Sequence, residues 1–198
     1  VILTVASFKG GVGKTTTAVH LAAWLQTKGP TLLLDGDPNR QALRWARNDR
    51  LPFKVADIAQ AARFARDYTH TVIDTAQRQT AEDFRAVAES GDLLVLPAVP
   101  GTLDTYALID TVAALRQLPA VRYRVLLVKV PPPPEPEGAQ LRQALEEQRI
   151  PLFRAEIPKL KAFEKAAAQG VLVADVTGDR RAVRAGRAYA AAGKEILK

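Results

Sequence analysis

Apolar residues along this chain come in short unbroken runs separated by longer amphipathic stretches. The runs are VILTVAS (1–7), TLLLD (31–35), TVIDT (71–75), DLLVLPA (92–98), RVLLVKV (124–130) and LFRAEI (152–157). Most lack strict apolar/polar alternation, as expected of strands buried on both faces. Helical patterns lie between them, over 14–28, 39–49, 57–66, 79–89, 104–117, 138–148, 160–169 and 179–197. The first is stopped by Gly29 and Pro30. Such alternation predicts an α/β fold with a mostly parallel sheet flanked by helices on both faces. VPPPPEPEG (130–138) suits neither helix nor central strand and reads as a stiff surface connection. With 198 residues and no internal repeat, one domain spanning 1–198 is expected.

Composition narrows the function. The chain has no cysteine, which excludes thiolate metal sites and iron–sulfur clusters, and its two histidines, His20 and His70, are too few for a histidine-based metal site. No apolar run approaches the roughly 18 residues that cross a bilayer. VILTVASF lacks the basic segment that opens a signal peptide, so a cytoplasmic location is expected. Net charge is +7 and unevenly spread. From Ile150 onward ten Lys and Arg face five Asp and Glu, whereas the first 149 residues hold 18 against 16. A basic C-terminal quarter fits a polyanionic partner, and it also fits plain solvation.

SFKGGVGKTT (7–16) follows the first strand and opens the first helix, which is where a phosphate-binding loop sits. Gly10, Gly11 and Gly13 let backbone N–H groups approach phosphate oxygens, and the helix N-terminus adds partial positive charge. Lys14 is placed to reach the β- and γ-phosphates, and the Thr15 hydroxyl to ligate Mg²⁺. The common template carries glycine where this chain has Phe8. The loop also carries a second lysine, Lys9.

Those residues resemble the deviant Walker A box of the ParA family, ATPases that partition plasmids, chromosomes and other cargo. The resemblance implies that Lys9 is the signature lysine, reaching the nucleotide of a partner in an ATP-sandwich homodimer. ATP would lie on Lys9, Gly10, Gly11, Val12, Gly13, Lys14, Thr15 and Thr16. A cation delivered from a second copy stabilises charge on the γ-phosphate and ties hydrolysis to dimerisation.

Carboxylates follow at strand ends. LLLDGDPNR (32–40) resembles the family's D-x-D-P-Q element. By that match Asp37 orients the attacking water near Mg²⁺, and Asp35 supports the Mg²⁺ shell through water; both could also serve a turn. HTVIDTA (70–76) reads as a buried strand ending in Asp74, a Walker B carboxylate for Mg²⁺. The family usually continues with two prolines, whereas Thr75-Ala76-Gln77 stands here, and no glutamate base follows. Slow hydrolysis is the expectation. Pro97 and Asp104 match the family's P-x-x-x-D region. IPKLKAFEKAAAQG (157–170) matches the segment that borders adenine, making Pro158 and Lys159 candidate base contacts and Lys129 a weaker one. The family's glutamate there is Lys165 here.

At about 100° per residue, Arg180, Arg184, Arg187, Lys194 and Lys198 fall within about 80° of arc, with Arg181 beside them. Val183, Tyr189, Ile196, Leu197, Gly186, Gly193 and several alanines take the other side. An alanine- and glycine-rich face suits packing on the protein's own sheet better than insertion into lipid. The basic face, extended by Lys159, Lys161 and Lys165, suits salt-sensitive phosphate contacts without base reading.

The resemblance therefore implies an ATP-dependent, Mg²⁺-dependent switch. It would bind nonspecific DNA, associate with the nucleoid and not the membrane, and position a plasmid, chromosome or protein compartment. A ParB-like or cargo-adaptor protein would stimulate its hydrolysis. Only eight residues precede the box, so the small form without a helix-turn-helix is expected. The alternative is a membrane-associated ATPase that places the division site. A ligase on the same scaffold would need a substrate cluster that the sequence does not offer.

Overall fold

The computed structural model describes every residue except 8, 65, 77–84, 87, 90, 102–107, 110, 111, 119, 120 and 198. Six strands form one sheet: β1 (Ile2–Val5), β2 (Thr31–Asp35), β3 (Lys54–Asp57), β4 (His70–Asp74), β5 (Leu93–Ala98) and β6 (Tyr123–Leu127). Their order is β3-β2-β4-β1-β5-β6 and every pairing is parallel. The described helices include α1 (Lys14–Gln26), α2 (Gln41–Ala46), α3 (Ala61–Phe64), α4 (Glu137–Glu147), α5 (Ala162–Gln169) and α6 (Ala182–Lys194).

Each sheet face has its own core. On one, Leu3, Val5, Leu33 and Val72 meet Leu21 and Leu25 of α1. On the other, Leu94, Leu96, Val125 and Leu127 meet Leu141 and Leu145 of α4. Burying each such side chain contributes roughly 1.5–3 kcal/mol. Burial on both faces is why the strands read as unbroken apolar runs.

The register matters most for function. Asp35 pairs with Asp57 on one side and Asp74 on the other, and Asp74 pairs with Val5. The C-terminal ends of four adjacent strands thus form one row. β1 leads from that row into the glycine loop, at the edge where open α/β sheets bind ligands.

Three elements differ from the sequence reading. Lys54–Asp57 is a strand absent from the sequence reading, and the helix expected over 57–66 starts after it, as a 3-10 turn over 58–60 that leads into α3. LFRAEI (152–157) is not a sheet strand. Leu152 bridges Val125 of β6, and Pro158, just past the segment, bridges Val130 beyond the strand; between them Glu195 accepts the amide hydrogens of Arg154 and Ala155 at 3.0 Å. That draws the middle of the segment off the ladder. Finally, α6 rests on α1 and the 173–175 turn: Gly193 lies where a Cβ would come within 2.2 Å of the Trp24 ring. Val183 and Leu197, expected on the packed face, are exposed.

Candidate nucleotide site

α1 begins at a backbone that only glycine adopts readily. Gly11 has φ 76° and Gly13 has φ 93°, and Gly13 is the N-cap of α1, with no side-chain cap. The early N–H groups of α1 are therefore not held by a capping side chain, as an anion-binding helix start requires. The Ser7 hydroxyl donates to the Lys9 carbonyl at 2.8 Å and shapes the loop entry.

Lys14 is buried below the loop, near Asp37 and Asp74. Burial lowers its pKa, and the two carboxylates oppose that shift. Asp74 is fully buried, and neither of its oxygens has a hydrogen-bond partner among the described residues. Desolvation pushes its pKa up to about 7, reinforced by Asp35 and Asp37 and opposed by the Thr15 hydroxyl and Lys14. A buried carboxylate with both oxygens unmatched is costly unless a cation satisfies it. No group of three or more His, Cys, Asp or Glu forms a metal cage among the described residues. That suits Mg²⁺, which takes one or two carboxylates and completes its shell with water and phosphate.

Asp35 is used differently. Its oxygens accept the amide hydrogens of Asp37 at 3.0 Å and Leu43 at 2.9 Å, so it shapes the loop that carries Asp37. Asp37 accepts from the Asn39 amide nitrogens, backbone at 2.8 Å and side chain at 3.0 Å. The Gly36 N–H ties the same loop to the Asp74 carbonyl at 2.8 Å. Arg40, at φ 53°, closes it with a 2.6 Å ion pair to Asp57.

A cleft of about 1210 Å³ opens at this edge. Gly11, Val12, Gly13, Lys14, Thr15 and Thr16 line one end. Pro158, Lys159, Lys161, Lys165, Arg180 and Arg181 line the cleft as well. Lys9 is exposed and Gly10 half-buried, and neither lines the cleft. Arg184, Arg187 and Lys194 are exposed on α6 outside it. Asp104 and Gln77 lie outside the described residues, and Pro97 is buried in β5.

Sequence reasoning missed several connections. Lys129, considered there for the base, donates from Nζ to the Gly11 carbonyl at 2.6 Å and braces the loop. Lys165 is paired with Asp179 at 3.1 Å. His20 accepts the Val173 N–H on Nε2 at 3.0 Å, so its Nδ1 carries the proton and donates to the Thr16 carbonyl at 2.7 Å. Burial lowers the His20 pKa to about 4. Its ring stacks on Tyr189 of α6 at 4.8 Å, and the Tyr189 hydroxyl meets the Thr17 hydroxyl at 3.1 Å. The C-terminal helix thus bears directly on the first turn of α1.

Residues 3–173 match the family model described as the CobQ/CobB/MinD/ParA nucleotide binding domain. The maintenance of carboxysome distribution protein A of Gloeobacter kilaueensis is 37% identical over 179 residues, covering 87% of this chain and 83% of that protein. An ATP complex of a variant McdA from Cyanothece superposes with TM-score 0.78 at 17% identity, over 99% of this chain and 96% of that one. The MinD cell division protein of Aquifex aeolicus gives 0.76 at 14%, over 99% and 96%. The last two share the fold. With a glycine loop, a buried lysine and an aspartate row in the matching segment, this chain belongs to the CobQ/CobB/MinD/ParA nucleotide-binding family.

Proposed function

We propose that this chain is an Mg²⁺-dependent ATP hydrolase that forms a homodimer around ATP, binds DNA without sequence preference in that state, and positions a cargo. A partner protein stimulates hydrolysis and releases it from the nucleoid. The carboxysome is the cargo best supported, because the Gloeobacter relative named for carboxysome distribution matches most of both chains. Plasmid and chromosome cargo are thereby less favoured.

One observation carries the nucleotide chemistry: the two buried, unmatched oxygens of Asp74 beside Lys14 and Thr15. In this reading Thr15, Asp37 and Asp74 hold Mg²⁺, which when bound would neutralise charge on the β- and γ-phosphates. Asp35 acts through the loop it shapes. The N–H groups from Gly11 to Thr16 cradle the phosphates, and Lys14 bonds their oxygens. Asp37 orients the attacking water. Lys9, exposed at the loop's outer side, offers a cation to the nucleotide of the second copy. Pro158 and Lys159 face the base from the cleft wall. Exposed Lys161, Arg180, Arg181, Arg184, Arg187 and Lys194 supply phosphate contacts to DNA, and Lys165 does so in competition with Asp179.

The test is phosphate release and mass in solution. ATP with Mg²⁺ should yield slow turnover and a dimer. Asp37→Ala should keep the ATP dimer and lose turnover by at least about 100-fold. Nucleotide binding without turnover, or turnover untouched by Asp37→Ala, would sink the hydrolase reading.

A further inference from the structure

The cleft does not end at the phosphate loop. Small-molecule sites typically enclose about 300–1,000 Å³, and this one, at about 1210 Å³, is lined as well by Arg44 of α2 and Arg47 just after it. These two stand three residues apart, on one helical face. Both are exposed, and neither makes an ion pair among the described residues. Lys161, Arg180 and Arg181, also exposed, line the same cleft. Asp179 is already engaged by Lys165 and by the Arg181 amide hydrogen, which leaves only Glu135 and Glu164 as further acidic residues along the whole lining.

The helix that carries Arg44 is tied directly to the C-terminal end of α5. The Trp45 indole N–H donates to the Val171 carbonyl at 2.9 Å in a buried bond, and the Asn48 side chain reaches the Gln169 carbonyl at 3.4 Å. Gly170, at φ 68°, lets the chain pass so near α2 that a Cβ there would lie 2.8 Å from the Trp45 carbonyl oxygen. Five exposed cations lining one cleft suit a repeating phosphate backbone better than a single compact anion.

We infer that Arg44 and Arg47 form a second bank of the DNA groove, taking backbone phosphates along the cleft with Lys161, Arg180 and Arg181. This rests on the DNA-binding reading above and adds a surface more than 100 residues away from the basic C-terminal helix. It also places bound DNA at the mouth of the nucleotide cleft.

The experiment measures anisotropy of an arbitrary fluorescent duplex with ATP and Mg²⁺ across a salt series. Wild type is compared with the full-length double variant R44Q/R47Q, and the ATP-dependent dimer of both is followed by sedimentation. The expected result is weaker binding, with the log–log salt slope reduced by about 2 for each protomer that engages the duplex, since each phosphate contact contributes about 1. Dimerisation and ATP turnover should match wild type. An unchanged slope in a variant that folds and dimerises would overturn the second bank while leaving the DNA reading intact. Loss of the ATP dimer would overturn it by making this face a contact between copies. A wild-type protein that binds no duplex in any nucleotide state would overturn the DNA reading itself. R44K/R47K should restore the slope if charge is what matters.

Discussion

The buried aspartate row and the basic lining of the cleft are built on opposite principles. At the phosphate loop, Lys14, Asp35, Asp37 and Asp74 are all buried, and each is placed by a strand end or a glycine turn. Along the cleft, Arg44, Arg47, Lys161, Arg180 and Arg181 are exposed. Phosphoryl transfer needs a few charges fixed to sub-ångström tolerance and shielded from water. A nucleic-acid backbone needs many charges in a row and tolerates each being mobile. The first region concentrates its energy in single residues, and the second spreads it. Mutational effects should differ accordingly.

The largest effect should come from Lys14→Ala. It removes a lysine buried beside Asp37 and Asp74, and ATP turnover should fall by about 100-fold or more. A malachite-green assay at saturating ATP checks this, with circular dichroism to show that the fold persists.

Asp74→Asn sharpens the contrast through pH. The folded pKa of Asp74 lies at about 7, above its ordinary value, so the nucleotide-free protein holds that proton more tightly than the unfolded chain does. This stabilises the fold at acid pH and is lost as pH rises towards about 7. His20 acts in the opposite sense. With its folded pKa depressed to about 4, its contribution is present above its ordinary value and lost as pH falls. The two oppose each other between about 4 and 7. Thermal melts of nucleotide-free Asp74→Asn should therefore gain stability over wild type at pH 8, by a few kcal/mol at most. They should also drop more steeply below pH 6. Equal profiles for the two proteins would refute a buried, cation-seeking Asp74.

Gly193→Ala tests the seating of the C-terminal helix. A Cβ there meets the Trp24 ring, so a loss of about 1–3 kcal/mol is expected in urea melts. Because α6 touches Thr17 and stacks on His20, nucleotide affinity should weaken with it. Arg184→Gln with Arg187→Gln, on the same helix but exposed, should leave stability within about 0.5 kcal/mol and reduce only the salt slope of DNA binding. Val183→Ser should change nothing measurable in stability or DNA binding, since its side chain is half exposed. If it instead abolished binding to anionic vesicles, the membrane-associated alternative would gain ground.

The legible parts of this molecule are those written contiguously. Strand, glycine loop and helix stand in one run from Val1 to Gln26, and Asp35 and Asp74 close apolar runs whose ends the sheet brings into register. β3 was not legible because it is four residues long, starts with Lys54 and follows a proline two residues earlier. The 152–157 run looked like a strand because its apolar content is right. Its Phe153 and Ile157 amides do donate to β6, but those of Arg154 and Ala155 are claimed by Glu195, about 40 residues later, which no local pattern reveals. The brace from Lys129 to Gly11 and the Thr17–Tyr189 contact span 118 and 172 residues. Helical phase placed Arg184 and Arg187 outside correctly, but it could not show that α6 sits on α1, which leaves Val183 and Leu197 in solvent.

The central claim is that nucleotide at the buried aspartate row governs polyanion binding at the exposed cations. The most direct measurement is anisotropy of unrelated DNA duplexes titrated with wild-type protein in ATP·Mg²⁺ and in ADP·Mg²⁺ over a range of salt. The account predicts binding that requires ATP, ignores sequence and falls steeply with salt. Equal binding in ATP and ADP, or binding indifferent to salt, would contradict it.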